Sequence, residues 1–296
     1  MTAIGIGRIG IWTGGGQWDV GPDERTAAAE ELDALGYSTL WAGTMPGSSA
    51  GDLALFEAIL AATDRLVVAT GILDVWSNPA AQVARSHGRL HERHPGRFLL
   101  GLGVSHAPLI DGATDQTYAK PLQRLATYLD ELDVATPAVP RDERILGVLG
   151  PRAVEMAGER SLGAHPYLVT PEHTAATRKV LGAGPILAPE QKVVITTDAE
   201  VGRRLGRRAL AIYFALPNYT RNLLRLGFDE ADFAAGGSDR LVDALVAWGD
   251  IDTVRRRVEE HLSAGADHVA LQVLAEGPAN ALPLQAWRDA APLTTL

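Results

Sequence analysis

The residues most able to do chemistry lie in the stretch FLLGLGVSHAPL, residues 98–109. An apolar run leads into two glycines, and Val104, Ser105 and His106 follow. A dinucleotide-binding turn needs a third glycine where His106 stands and a helix start where Pro108 stands, so we expect neither that turn nor a helix there. Histidine titrates near neutral pH, which makes His106 a candidate for proton transfer at a strand end. An imidazole that is hydrogen-bonded within the loop is an equally good interpretation.

Two further motifs carry weaker signals. The three glycines of residues 14–16 are not followed by Gly-Lys-Ser/Thr and therefore predict a flexible loop, not a phosphate-binding loop. His87, His91 and His94 lie on one predicted helix, but their spacing lacks the glutamate of the H-E-x-x-H zinc motif. Charged neighbours favour a solvated helix face there. With no carboxylate cluster at a strand end, we expect no metal site.

Composition narrows the classes of function. The chain has 296 residues, a net charge of −9 and no cysteine. The acidic balance disfavours a broad nucleic-acid surface, and the lack of cysteine rules out disulfides and thiolate chemistry. No signal-peptide pattern and no run of about 18 apolar residues is present, so we expect a cytoplasmic protein that does not enter the membrane.

Short apolar runs alternate with helical patterns along the chain. Most of these runs are apolar at successive positions, which is typical of strands covered on both faces in a parallel sheet. The predicted strands are residues 6–12, 38–43, 66–73, 98–103, 144–150, 165–170, 192–196 and 268–274. Between them, Leu122, Leu125, Leu129 and Leu132 give the clearest helical stripe.

Eight strands, each followed by a helix, predict a closed (β/α)₈ TIM barrel in the α/β class, formed by residues 1–296 as one domain. An open doubly wound sheet is the competing fold. Residues 214–250 are too long for a simple connection and predict an inserted helical segment over the mouth. In such a barrel, the functional residues lie at the carboxyl ends of the strands.

Several segments, taken in order, resemble the luciferase-like monooxygenase superfamily, in particular its branch of oxidoreductases that use the deazaflavin coenzyme F420. They are RIGIWTG, AAAEELDALGYSTLW, DRLVVATGILDVWSNPA, HPGRFLLGLGVSHAPL, ILGVLGPRAVEMAGERSLGAHPYLVTPEHT, FALPNYTRNLLRLGF, GGSDRLVDALVAWGD and AGADHVALQVL. Each segment alone is a weak signal, whereas their order and spacing together are specific. The family fold is a (β/α)₈ barrel with insertions, in agreement with the predicted strands.

The resemblance implies a site for the coenzyme. The ring would lie in the barrel mouth, supported by a non-prolyl cis peptide bond at Gly71–Ile72. Val104 and Ser105 would hold the phosphate and ribityl chain together with the turn Gly150-Pro151-Arg152. The residues of that turn favour anion binding independently of the resemblance, because a helix that begins at Pro151 offers free N–H groups to an anion.

The resemblance also implies a substrate pocket. Its apolar walls would be Trp12, Trp41, Met45 and Trp76, although these side chains, Trp41 above all, could equally belong to the core. Either Arg152 or Arg221 would meet the acidic tail of the coenzyme. Relatives often carry a histidine or glutamate just after the second strand, but residues 41–46 read WAGTMP here. His106 is therefore the candidate substitute.

The hypothesis from the sequence is an oxidoreductase that transfers a hydride between F420 and a small organic substrate. Two alternatives stay open. One is an FMN-dependent monooxygenase on the same fold, and the other is a non-catalytic protein that keeps the fold and binds a ligand or partner. The resemblance also implies a homodimer.

Overall fold

Eleven strands form one curved sheet in a computed structural model, which describes residues 4–48 and 50–296. The strands are β1 (Ile9–Thr13), β2 (Thr39–Ala42), β3 (Val67–Thr70), β4 (Leu73–Asp74), β5 (Phe98–Gly103), β6 (Arg144–Gly147), β7 (Gly163–Ala164), β8 (Ile186–Leu187), β9 (Glu190–Ile195), β10 (Val246–Gly249) and β11 (Val269–Val273). All of the strand pairs are parallel.

Helices connect these strands and cover the outside of the sheet. They are α1 (Pro22–Ala34), α2 (Ala54–Ala61), α3 (Ala80–Arg93), α4 (Ala107–Ala113), α5 (Pro121–Asp133), α6 (Pro151–Arg160), α7 (Pro171–Leu181), α8 (Ala199–Leu210), α9 (Pro217–Arg225), α10 (Asp239–Leu245), α11 (Ile251–Ser263) and α12 (Leu284–Ala290). Short 3₁₀ turns occupy Ala50–Asp52, Arg141–Glu143, Ala211–Ala215, Glu230–Gly236 and Ala291–Thr295. Of the helices described, none combines the length and apolarity needed to cross a membrane.

The sheet closes on itself. Its strand order is β10-β9-β11-β1-β2-β3-β5-β6-β7-β8, with β4 also paired to β5. Only Ala188 and Pro189 separate β8, at one end of this order, from β9, which lies next to the other end, so β8 and β9 are one continuous run of chain. Ala188 N–H donates to Ala164 on one side, and the Pro189 carbonyl accepts from Ala270 on the other. The predicted (β/α)₈ barrel is therefore confirmed, with β3–β4 and β8–β9 as interrupted strands.

Two strand predictions were wrong. The sixth strand is Gly163–Ala164 and not residues 165–170, because Leu168 has a positive φ of 59°, which an extended strand does not allow. Residues 246–249 form β10 instead of belonging to the helical insertion. β10 pairs with residues 192–195 of β9.

The inserted helical segment is present over residues 211–245. It contains the Ala211–Ala215 turn, α9, the Glu230–Gly236 turn and α10. Its apolar side chains form a cluster of their own with Leu168 and Val194 from the barrel. This cluster also takes in Leu109 and Leu149, which follow β5 and β6. The insertion therefore lies against the carboxyl ends of the strands, where the functional residues were predicted.

Candidate functional site

A backbone bulge interrupts the third strand of the barrel. The Gly71–Ile72 peptide bond between β3 and β4 is cis, as predicted. Both residues are partly exposed, although the strands on either side are buried. Thr44 Oγ1 donates to the Ile72 carbonyl at 2.8 Å, and Gly71 N–H donates to Ala42 at 2.8 Å. The loop after β2 thus fixes the bulge, and Thr44 is a site residue that the sequence analysis missed.

Three glycines around the bulge form the floor of the site, and a Cβ atom at any of them would collide with a neighbouring side chain. A Cβ on Gly71 would lie 2.7 Å from Trp12 Nε1. Cβ atoms on Gly103 and Gly147 would each lie 2.9 Å from the Ile72 side chain. The Ile72 side chain therefore fills the space over two glycines, while the Gly71 backbone faces the Trp12 indole. Contacts this short exclude larger side chains at all three positions.

Trp12 contributes a hydrogen-bond donor that has no acceptor. Its Nε1 is buried and unpartnered among the described residues. The ring packs at 4.7 Å from Tyr167 and the side chain is 8% exposed. Leaving a buried donor unpaired costs about 1–3 kcal/mol, so such a group in a native protein requires an explanation. A ligand with an acceptor atom beside Gly71 would supply the missing partner.

The loop after β5 is held by polar side chains. Trp76 Nε1 donates to the Val104 carbonyl at 2.8 Å. Asn218 of α9 donates to the Ser105 carbonyl at 3.2 Å, and Ser105 has a positive φ of 53°. Tyr118 packs on Trp76 at 5.2 Å between ring centroids. The insertion and the β5 loop are therefore joined at the residues predicted to hold the coenzyme chain.

His106 lies in the same loop, directly before α4. The helix begins at Ala107 with a proline in its first turn, so the expectation that no helix starts here was wrong. Proline suits that position because its missing N–H would be unpaired there. The imidazole packs at 4.7 Å from Tyr219, and its Nδ1 is buried without a partner among the described residues. Burial lowers the pKa of His106 to about 4, so the ring is neutral near pH 7.

The turn after β6 has the predicted helix start. Gly150 is the N-cap of α6 and Pro151 lies in its first turn. No described side chain caps this end, so its backbone N–H groups remain open to a ligand. Arg152 is exposed in the first turn, and the Leu149 carbonyl lies 3.1 Å from His173 Nε2. The geometry permits anion binding, as the sequence predicts.

The predicted walls lie in different environments. Trp41 is fully buried, stacks on His165 at 4.1 Å and donates to His268 Nε2 at 3.0 Å. It is a core residue beneath the floor, so its prediction as a wall was wrong. Met45 is 54% exposed beside Gly15 at the rim. Arg221 is exposed on α9.

A polar network beside Trp12 was also missed. Lys192 and Glu190 of β9 form a fully buried ion pair of 3.1 Å. The ammonium lies 4.0 Å from the centre of the Tyr167 ring, and Tyr213 Oη lies 2.6 Å from Tyr167 Oη. Tyr167 also donates to Gln272 Oε1 at 2.8 Å. The sequence does contain a signal for this ion pair. Glu190 and Lys192 carry opposite charges and lie two residues apart on a buried strand, which places both side chains on one face.

The histidine helix differs from its predicted solvated face. His87 is 2% exposed and lies 3.2 Å from Glu143, which also contacts His91 at 3.0 Å. These side chains join α3 to the start of β6, at the end of the barrel opposite the bulge. Within residues 4–48 and 50–296, no group of three or more histidines and carboxylates could hold a metal ion, and this contact is no exception.

Taken together, these residues form a bowl with a backbone floor, an unpaired indole N–H donor, an unpaired imidazole nitrogen and an open helix end. Such a site suits a flat ligand that carries acceptor atoms and an anionic tail. The residues of the bowl would position such a group and shield it from water.

Comparison with known proteins agrees with this geometry. Residues 6–268 match the family model described as luciferase-like monooxygenase. A Mycobacterium tuberculosis protein, provisionally named a coenzyme F420-dependent oxidoreductase, is 26% identical over 92% of this chain and 94% of its own.

Solved structures share the fold over nearly the whole chain. An F420-dependent secondary alcohol dehydrogenase with a bound F420-acetone adduct has a TM-score of 0.73 at 14% identity and covers 97% of this chain and 99% of its own. The F420-dependent tetrahydromethanopterin reductase of Methanopyrus kandleri has a TM-score of 0.70 at 14% identity, covering 97% and 98%. The FMN-bound oxygenating component of 3,6-diketocamphane monooxygenase from Pseudomonas putida has a TM-score of 0.67 at 14% identity, covering 98% and 96%.

Proposed function

The chain belongs to the luciferase-like monooxygenase family, and from this premise we propose that it is an oxidoreductase that transfers a hydride between coenzyme F420 and a small organic substrate. The observation that carries the proposal is the floor of the bowl, where the Gly71 backbone meets an unpartnered Trp12 Nε1. The glycine backbone and the unpaired indole N–H suit the edge of a flat heterocycle that carries an acceptor atom. The related F420-dependent oxidoreductase of M. tuberculosis supports the choice of coenzyme.

The chain's own residues would bind and orient the coenzyme. Gly71 and Ile72 would support one face of the ring, and Trp12 Nε1 would donate to an acceptor at its edge. When bound, the deazaflavin carries the hydride. Val104 and Ser105 would line the path of the ribityl chain from the ring.

The anionic part of the coenzyme would lie at the start of α6. Gly150 and Pro151 form that helix end, whose free N–H groups and positive dipole favour a phosphate. Arg152 or Arg221, both exposed, would pair with the acidic tail. These contacts hold the coenzyme in place without taking part in the redox step.

The substrate would enter between the rim and the β5 loop. Trp12, Trp76 and Met45 would provide apolar contact. His106 is the proposed polar residue on this side, and because it is neutral near pH 7 it would act through hydrogen bonding and not as a cation.

Titration of the purified protein with F420 and with FMN tests the proposal. We expect F420 to bind with a change in its fluorescence and FMN to bind more weakly. Preference for FMN, followed by rapid oxidation of the reduced complex by oxygen, would favour the monooxygenase that the FMN-bound relative exemplifies. Failure of both to bind would leave a non-catalytic binding protein.

The same proposal includes a cytoplasmic homodimer acting on a small molecule, without nucleic acid or a membrane. A chain without cysteine is compatible with a reducing compartment. Exposed apolar side chains on the insertion, Ile212 at 66% and Leu224 at 41%, are compatible with a partner surface. Light scattering coupled to size-exclusion chromatography would give the oligomeric state directly.

A further inference from the structure

The bowl contains a pair of tyrosine hydroxyl groups that the function described so far does not use. Tyr213 Oη and Tyr167 Oη lie 2.6 Å apart, and Tyr167 donates onward to Gln272 Oε1 at 2.8 Å. Both tyrosines are partly exposed. The Tyr167 ring packs on Trp12, whose indole nitrogen adjoins Gly71. The hydroxyl pair therefore belongs to the wall next to the floor of the bowl.

The direction of these hydrogen bonds distinguishes the two tyrosines. Each hydroxyl has one proton to donate. Tyr167 gives its proton to Gln272 Oε1, so Tyr213 is the donor within the pair. Among the described residues, Tyr213 Oη has no other hydrogen-bond partner. A rotation about its C–O bond would present the Tyr213 proton to an acceptor in the bowl.

A buried charge lies behind the pair. Lys192 Nζ is 4.0 Å from the Tyr167 ring centre and 5.1 Å from that of Tyr213. Its side chain has no exposed surface, and Glu190 binds the ammonium at 3.1 Å. Lys192 is therefore unable to reach a substrate. It holds the Tyr167 ring in place, and burial, together with the Glu190 carboxylate paired with Lys192, raises the pKa of Tyr213 and so helps to keep that hydroxyl protonated.

From these contacts we propose that the Tyr213 hydroxyl is the proton donor to the substrate oxygen, which makes the substrate a ketone or an aldehyde, or the matching alcohol in the reverse direction. The inference rests on the proposed function, since reduced deazaflavin is the hydride source. The hydride pair forms the new C–H bond, the carbonyl π bond breaks, and the oxygen takes the Tyr213 proton. The phenolate then recovers a proton from solvent, with Tyr167 and Lys192 as positioning residues.

His106 and Glu190 are poor proton donors. Because His106 is neutral near pH 7, it holds no extra proton to release, and Glu190 is enclosed with Lys192. Burial raises the pKa of Tyr213 to about 12, so the hydroxyl stays protonated over the physiological range. A protonated tyrosine thus supplies the proton donor that the segment after the second strand, residues 41–46, lacks.

The infrared carbonyl band of bound cyclohexanone provides a test that does not depend on turnover. We would load the protein with oxidised F420, add isotope-labelled cyclohexanone and compare the wild type with Tyr213→Phe. A hydrogen bond from Tyr213 lowers the stretching frequency in the wild type, and the phenylalanine variant should lose that shift. An unshifted band in the wild type, or an equal shift in both proteins, would overturn the inference.

Turnover with reduced F420 and cyclohexanone provides the second readout. Proton donors of this kind contribute roughly 10²–10⁴-fold to the rate, so kcat of Tyr213→Phe should fall by about that factor with little change in KM. Tyr167→Phe keeps the donor but removes its acceptor, and we expect a smaller loss. Tyr37→Phe is the matched control, since Tyr37 Oη donates to the Trp287 carbonyl at 2.7 Å outside the bowl.

The outcomes separate this inference from the function on which it rests. If F420 does not bind, the proposed function itself fails. If F420 binds and cyclohexanone, acetone and benzaldehyde are not reduced, the proton-donor assignment fails and the coenzyme assignment stands. If Tyr213→Phe does not fold, as judged by circular dichroism, the band shift in the wild type and its change in Tyr167→Phe still decide the question.

Discussion

At the scale of single residues, the shape of the bowl depends on a glycine, which has no Cβ atom. Gly71 has no side chain where a Cβ would meet Trp12 Nε1 at 2.7 Å and Trp41 Cβ at 3.3 Å. The backbone is thereby free to face a ligand while the indole nitrogen remains unpaired. One methyl group at this position would press on both tryptophans and occupy the surface proposed to support the ring.

Replacement of Gly71 by alanine tests this arrangement. Overpacking of this kind costs about 1–3 kcal/mol, which corresponds to roughly a 10- to 100-fold loss of affinity for F420. Fluorescence titration would measure the loss. Gly112→Ala is the control, because no atom lies within 4 Å of a Cβ at Gly112. Equal affinities of Gly71→Ala and the wild type would contradict the proposed ring support.

The protonation state of His106 makes a second prediction. Since burial lowers its pKa from 6.5 to about 4, the imidazole does not titrate as the pH rises through 6.5. We therefore expect the pH profile of kcat/KM to have no inflection near pH 6.5 that depends on His106. Profiles of the wild type and His106→Asn would show this. An inflection near 6.5 that disappears in the variant would refute the neutral assignment.

At the scale of elements, the third strand is shaped by the loop beside it. β3 and β4 are separated at the Gly71–Ile72 bulge, and the Ile72 carbonyl is turned toward the loop after β2. Thr44 lies in that loop. Its hydroxyl satisfies the carbonyl that the broken ladder leaves free.

Substitution of Thr44 by valine should therefore act on the bulge. Loss of one hydrogen bond costs about 1 kcal/mol of unfolding free energy, and the free Ile72 carbonyl should also weaken F420 binding. Thr39→Val is the matched control on β2, the strand before that loop, where Thr39 Oγ1 donates to the Ile6 carbonyl at 2.6 Å. Denaturant unfolding and F420 titration would separate the effects. If both variants retained full affinity, Thr44 would have only a structural role.

The insertion, residues 211–245, covers the site. Asn218 of α9 bonds the β5 loop, and Tyr213 lies in the turn before that helix. Asp232 accepts hydrogen bonds from Ser238 and Arg240, and so ties the two halves of the insertion together. The position of Tyr213 in the bowl consequently depends on an ordered insertion and not on the barrel alone.

At the scale of the whole molecule, buried histidines make the fold sensitive to acid. Burial lowers the pKa of His165 and His268 to about 4 and that of His261 to about 3. All three are hydrogen-bonded inside the protein. In the unfolded chain they would take up protons near pH 6.5, whereas in the folded protein they remain neutral to a much lower pH.

Stability should thus fall as the pH is lowered from about 6.5 to about 4, because the unfolded state binds more protons in that window. Each unit of pKa difference corresponds to about 1.4 kcal/mol, so we expect a loss of several kcal/mol. Urea unfolding at a series of pH values would measure it. His261→Gln should reduce the slope. A constant unfolding free energy between about pH 7 and 5 would contradict the prediction.

The sequence by itself determined the class of the fold. Apolar runs covered on both faces and helical stripes between them specify alternating strands and helices, and β5 was predicted over the residues it occupies, Phe98–Gly103. Pro151 marked a helix start that the structure contains. These features depend on neighbouring residues along the chain, so local patterns suffice to predict them.

Only the tertiary structure decided which side chains face the bowl. Trp41 is in the core because its indole reaches His268, 227 residues away, and Tyr167 meets Gln272 at a separation of 105 residues. The placing of β10 likewise depends on its pairing with β9, and that of β7 on its pairing with β6 and β8. Such contacts are set by closure of the barrel, which joins residues that no local pattern relates. Local periodicity thus predicted the strands, and closure of the barrel selected the residues of the site.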